Sequence, residues 1–173
     1  MANTTFSGPV RSEDGFDVVS KSSTTGAFTT EFSLDGSGLQ VTPITFGDAD
    51  TTLTATANAG RVNVVPAITG NRTITLPSPT AGVWFKFIYG GAAEEAENLI
   101  FDTGSDTNYF IGGIIHIQSD ADSGSYYSDG NSNSTLTLTD FGIFEINILA
   151  KDSTNWIIWG YQEGADAPAF ADQ

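Results

Sequence analysis

His116 is the single histidine of the chain, and no cysteine accompanies it. It lies in the run Ile114-Ile115-His116-Ile117, where strand alternation puts it on one face with Ile114 and Gln118. A zinc site needs further nitrogen or thiolate ligands, and none exists here. Serines and aspartates are plentiful enough to sketch a Ser-His-Asp triad, but no Gly-x-Ser-x-Gly elbow presents the nucleophile. No phosphate-cradling glycine loop precedes a helix. A lone strand histidine with such neighbours reads as structural.

Carboxylates are the next candidates. Asp120, Asp122, Asp129, Asn131 and Asn133 offer hard oxygen ligands of the kind calcium takes. The EF-hand spacing fails, because the twelfth position counted from Asp120 is Asn131 instead of a bidentate Glu. Asp102 and Asp106 flank another polar loop. Asp, Asn and Gly in such loops read as solvated turns, although a site assembled from separate loops stays open. Glu145, between Phe144 and Ile146, is the only strand-interior glutamate of the second half, and glycoside hydrolysis needs a second carboxylate across a cleft. No enzyme activity, cofactor or metal is expected.

Three tryptophans remain. Exposed on a β-sheet, Trp84, Trp156 and Trp159 could stack on sugar rings. Each sits in an apolar strand, however. Trp84 is opposite in parity to Phe85 and Phe87, while Trp159 shares parity with Ile157 and Tyr161. Core or subunit-interface packing is the preferred reading for all three.

The elements that must position these residues are strands. Apolar residues come in short β-branched or aromatic runs over residues 27–34, 41–46, 52–57, 61–65, 72–76, 83–89, 99–101, 109–118, 135–139, 141–149 and 156–161. Pro43 confines the second run to an edge or a connection. Asn58-Ala59-Gly60 predicts a hairpin between its flanking runs, and residues 152–155 predict another between the last two. Gly112-Gly113 predicts a bulge or a break. Residues 92–97, AAEEAE, are the only good helix-forming run, too short to be stable unpacked. Turn signals every ten residues or so predict an antiparallel β-sandwich or barrel, jelly-roll or β-tulip-like. Beyond Gln162 the sequence is acidic and unpatterned, which predicts a flexible tail over 163–173.

The chain has 173 residues and a net charge of −15, from 21 acidic against 6 basic side chains. That balance argues against nucleic acid and against an anionic membrane surface. No basic-then-apolar leader opens the sequence, and no apolar run reaches the length of a membrane span. Synthesis in the cytoplasm of a host cell, without membrane insertion, is the expectation.

The first sixteen residues, MANTTFSGPVRSEDGF, carry Phe6, Pro9, Val10 and Phe16 with neither helix period nor strand alternation, punctuated by Gly8-Pro9 and Asp14-Gly15. This reads as an extended arm over residues 1–26, ahead of a β-domain over 27–162. The opening resembles that of small virion proteins of tailed bacteriophages, the capsid decoration or cement proteins of marine phages. The unit Thr73-Ile74-Thr75-Leu76-Pro77 through Ala81-Gly82, read as an antiparallel pair around a proline-enforced corner, is similar to corners in phage head and tail β-domains. The resemblance implies a structural protein on the outer capsid surface of a virion, bound to the major capsid protein, commonly as a homotrimer. On that basis Phe6, Pro9, Val10 and Phe16 become capsid anchors, with Arg11 facing a capsid carboxylate. The other expectation is a head-fibre or tail-associated adhesin that binds host glycans.

Overall fold

The computed structural model describes residues 16–35, 38–40, 42–118 and 123–173. The chain divides at Thr42/Pro43 into two compact units. In the first, β1 (Phe16–Lys21), β2 (Phe28–Asp35) and β3 (Gly38–Gln40) form a three-stranded antiparallel sheet. Phe16 pairs with Leu34, and Lys21 with Phe28. The Lys21 ammonium lies 5.4 Å from the Phe28 ring centre. The boundary expected at residue 26 therefore falls inside a hairpin. Gly26, at φ 72°, closes that turn, a backbone state glycine adopts without strain. The β-domain begins at Pro43, where proline's missing donor suits a connection.

The second unit is an all-β sandwich. Its strands are β4 (Ile44–Thr45), β5 (Thr51–Thr52), β6 (Val62–Val65), β7 (Arg72–Thr75), β8 (Trp84–Tyr89), β9 (Leu99–Asp102), β10 (Tyr109–Ile117), β11 (Gly124–Tyr127), β12 (Thr135–Leu138), β13 (Phe141–Ala150), β14 (Asn155–Gly164) and β15 (Ala169–Ala171). One sheet has the order β11-β10-β14-β13-β8-β6-β4, the other β15-β12-β9-β7-β5. Both are mixed: β10 runs parallel to β14, β6 to β4 and β8, and β7 to β5 and β9. From β4 to β9 successive strands switch sheets and each returns beside the strand two before it, a topology that hydrophobic pattern alone does not distinguish from hairpins.

Two expected hairpins are sheet crossings. Between β5 and β6 lies one helical turn, α1 (Ala55–Asn58), because Thr54 caps it by accepting from Ala57 N at 3.2 Å. Buried Asn58 locks the turn: its amide donates to Asn63 Oδ1, while the Asn63 amide donates to the Asn58 carbonyl. The proline corner likewise links β7 in one sheet to β8 in the other, so it does not join an antiparallel pair. Gly82 takes φ 87° there and donates to Ala150 O at 2.9 Å.

Residues 92–97 form no helix. Glu94 accepts from Ala165 N, and Glu95 accepts from the Tyr89 hydroxyl while its own N–H donates to Phe141 O. These tertiary bonds override a short propensity. The expected tail is ordered as well. Strand β14 continues to Gly164, and β15 pairs with β12 while Phe170 packs against Phe110 at 6.2 Å.

The core lies between the sheets. Phe85, Phe87, Phe144, Ile146, Ile148, Trp156 and Ile158 from the larger sheet meet Ile74, Leu99, Phe101, Leu136 and Leu138 from the smaller. Phe87 and Phe101 touch edge to face at 4.9 Å across the layers. Among the described residues no helix is long and apolar enough to cross a membrane.

The β13–β14 hairpin does form, and its turn is held by one carboxylate. Asp152 accepts from Thr154 N, Asn155 N and the Asn155 amide. Asp129 does the same for its loop, accepting from Ser132 Oγ and from the N–H groups of Asn131, Ser132 and Asn133. The Asn155 side chain above all holds Asp152 well below the ordinary carboxylate range, as Ser132 holds Asp129. The unfolded chain thus takes up these protons first as pH falls, and the stability both groups supply is lost on acidification. Thermal melts are expected to be flat from pH 7 to about 5 and to drop steeply below about 4. Asp152→Asn should lower the pH 7 melting temperature and flatten that acid slope; an unchanged slope would remove Asp152 from the account.

Candidate functional site

Of the expected anchors, Phe6, Pro9, Val10 and Arg11 lie outside the described residues. Phe16 opens β1, inside the three-stranded sheet. The tryptophans separate. Trp156 is fully buried against Phe85, ring centres 5.8 Å apart, so it is a core residue and does not belong to a subunit interface. Trp84 and Trp159 are on the outer face of the seven-stranded sheet, 43% and 47% exposed.

His116 is buried, with Nε2 against the Gly164 carbonyl at 3.0 Å. Its Nδ1, like Trp156 Nε1 and Gln162 Oε1, has no hydrogen-bond partner among the described residues. Residues 119–122, which include Asp120 and Asp122, lie outside the described residues. Among those described, no group of three or more His, Asp or Glu is placed to hold a metal ion. Asp129 spends its oxygens on its own loop, leaving it a turn anchor.

The outer face follows from parity and register. In β14, Trp156 and Ile158 point inward while Ile157, Trp159 and Tyr161 point outward. Register then lays out cross-strand rows. Trp84, Leu149, Ile157 and Ile111 form one. Lys86, Asn147, Trp159, Gly113 and Tyr127 form the next. Ile88, Glu145, Tyr161 and Ile115 form the third. At the end of the sheet nearest Gly164, Ile143 and Ile117 are exposed on either side of Glu163. The face thus has an aromatic and polar centre and an aliphatic end.

The centre is organised by Glu145. Its carboxylate accepts from Lys86 Nζ at 2.9 Å and from the Asn147 amide at 3.2 Å. The Lys86 ammonium first, then Asn147, holds the Glu145 carboxyl below its ordinary range. By register Asn147 lies opposite Trp159 and Glu145 opposite Tyr161, with Lys86 one strand further away on β8. On the other side of Trp159, a Cβ at Gly113 would meet Tyr126 O at 2.2 Å and Tyr127 Cδ1 at 2.6 Å. Only glycine lets the Tyr127 ring lie down against β10. The strand does not break at Gly112-Gly113, where register with β14 is continuous. The two glycines serve close approach: a Cβ at Gly112 would meet Ile158 O at 2.4 Å.

A cavity of about 290 Å³ lies at the aliphatic end, lined by Tyr89, Ala92, Glu94, Ile143 and Glu163 among others. Burial first, then the hydrogen bond to the Glu95 carboxylate, raises the Tyr89 phenol well above its ordinary range, which keeps it protonated. The Tyr89 ring rests against Phe141 and Phe144, so it is a wall of the sandwich as much as of the cavity.

Sequence reasoning found Trp84 and Trp159 but overlooked Tyr127, Asn147, Lys86 and Ile143. One signal was available. In residues 111–117 the odd positions Ile111, Ile115 and Ile117 are as apolar as the buried Ile114 opposite them, which marks a strand with two apolar faces. No protein-family model matches the chain, and no curated protein is significantly similar to it in sequence.

Proposed function

We propose that the chain is a structural virion protein that binds the outer surface of a bacteriophage capsid, as a decoration or cement protein, and stabilises the head as a homotrimer. The observation that carries this reading is the exposed aliphatic end of the large sheet, Ile115, Ile117 and Ile143. A cluster of exposed aliphatic side chains on one sheet end is what a protein partner covers. The charge of −15 keeps such a chain dispersed in bulk until the intended surface is met. The opening residues, with their resemblance to cement proteins, supply the second support. An arm that adds its backbone to a strand edge of a neighbouring subunit gains hydrogen bonds, and apolar side chains in pockets set the specificity. Three arms on one trimer turn a weak contact into a firm one through effective concentration.

The test is cosedimentation of the purified chain with capsids that lack it. Saturable binding at a fixed number of copies per capsid is expected, together with slower heat-induced rupture of the shells. Ile117→Asp and Ile143→Asp should each leave the melting temperature within a few degrees and lower trimer content. A chain that stays in the supernatant at every concentration would overturn the reading.

A further inference from the structure

The centre of the same face differs from its aliphatic end, and the difference specifies a second ligand. Trp159 and Tyr161 stand two residues apart on the outer side of β14, so their Cα atoms are spaced by about 7 Å along the strand. Tyr127, 72% exposed and laid against Gly113, extends the aromatic surface by one strand. Trp84 extends it on the far side, beyond Leu149. Opposite Trp159 and Tyr161, on β13, lie the Asn147 amide and the Glu145 carboxylate, with the Lys86 ammonium one strand beyond, all three bonded to one another through Glu145.

A protein partner is a poor cover for this centre. It would bury the Lys86–Glu145 pair, and desolvating an ion pair costs more than its attraction returns unless every remaining donor and acceptor is matched. Lys and Glu are depleted from the cores of protein interfaces for that reason. A ligand that brings hydroxyl groups escapes the penalty. Each hydroxyl both donates and accepts, so vicinal hydroxyls can bond to Asn147, Glu145 and Lys86 together. The apolar face of a pyranose ring matches an exposed indole in size and polarity. The triad carries one positive and one negative charge, and the chain as a whole carries −15, so an anionic sugar gains nothing here.

From this geometry we propose that the aromatic centre of the seven-stranded sheet binds a neutral oligosaccharide. One sugar ring stacks on Trp159, the next ring lies over Tyr161, and hydroxyls bond to Asn147, Glu145 and Lys86. The site does not depend on the capsid reading. A head protein that carried it would hold the virion loosely to glycan-coated surfaces, and each copy would add one weak contact.

The experiment uses the purified full chain and three neutral probes, maltoheptaose, cellohexaose and chitohexaose, with a heparin hexasaccharide as the anionic comparison. Tryptophan emission and calorimetry read the binding. At least one neutral probe is expected to shift the emission at or below about 10 mM, with the heparin fragment inert. Trp159→Ala should weaken binding at least about tenfold, equivalent to about 1.4 kcal/mol, with Trp159→Phe restoring part of it. Glu145→Gln and Lys86→Met should each weaken it several-fold while the melting temperature stays within a few degrees. Silence from every neutral probe overturns the proposal, as does undiminished binding by Trp159→Ala. A mass that rises with protein concentration and falls back in Trp159→Ala would make the centre a contact between copies, and the sugar site would be rejected. None of these readouts involves capsids, so failure here leaves the cosedimentation result intact.

Discussion

A chain lacking residues 2–15 is expected to fold as before and to lose capsid attachment. Phe16 is retained because it pairs with Leu34 in the first sheet, so the cut falls just outside the strand. Among the described residues the buried apolar core, from Leu53 to Ile158, is built entirely from the second unit, Pro43–Gln173, which should melt within a few degrees of the full chain. The removed residues hold Phe6, Pro9, Val10 and Arg11, the set that the opening motif marks as anchors. If Phe6 fills a pocket on the capsid, Phe6→Ala alone should cost about 2 kcal/mol, close to thirtyfold in affinity per arm. In a trimer the deficit compounds, because all three arms weaken together. Cosedimentation over a concentration series, with melts run in parallel, reads both halves. If the shortened chain saturates capsids at wild-type concentrations, the opening residues are not what attaches it. If it fails to fold, the opening residues belong to the first sheet and are no arm.

The largest effect on stability is expected at Gly160. This residue sits in the middle of β14 between Trp159 and Tyr161, with φ 152°. It pairs with Ile146 on one side and with Ile114 on the other. A Cβ there would stand 2.0 Å from the Glu145 carbonyl oxygen and 3.0 Å from Ile146 Cα, both backbone atoms of β13. Backbone in the centre of a sheet cannot step aside without breaking ladder bonds on both flanks. Gly160→Ala should therefore cost about 3–5 kcal/mol, enough to unfold much of a marginally stable domain. Gly130→Ala is the control. That glycine also has positive φ, 78°, but nothing lies within 4 Å of its added Cβ, so about 1 kcal/mol is expected. Urea titration of both variants measures the difference. A Gly160→Ala midpoint equal to wild type would mean that β13 and β14 do not meet in this register.

What the sequence made legible is whatever depends on local alternation. The outward parity of Trp84 follows from Lys86 on its face and Phe85 and Phe87 on the other, and the Asp152 turn follows from its Asp-Ser-Thr-Asn sequence. Partner choice between strands was not legible. The run from Leu53 to Ala57 alternates as a strand would, yet the Thr54 cap and the buried Asn58–Asn63 pair make it a helical turn between sheets, a local competition that alternation alone does not reveal. Trp156 fails for a related reason. Its neighbours Ile157 and Ile158 are both apolar, so composition cannot say which face is inside. Tyr127 was missed because β11 is only four residues long and lies among acidic turn residues. Phe170 was hidden by small and acidic neighbours that predict a tail, whereas Phe110 across the sandwich offers it a place.

The position of β14 has a consequence for how the molecule is made. It lies between β10 and β13 in the large sheet and is parallel to the first. On the ribosome, β10 is complete at Ile117, long before Asn155 starts the strand that fills the gap. Until then β10 and β13 each show an unpaired edge, the kind that invites association between nascent chains. The β13–β14 hairpin can close locally within microseconds of its synthesis, but its insertion beside β10 must wait for the long-range loop to be drawn in. The large sheet is completed from its middle, by a late strand, so its final closure should follow translation of β14 and should be the slow step of refolding. During that interval the surplus of acidic side chains keeps neighbouring chains apart.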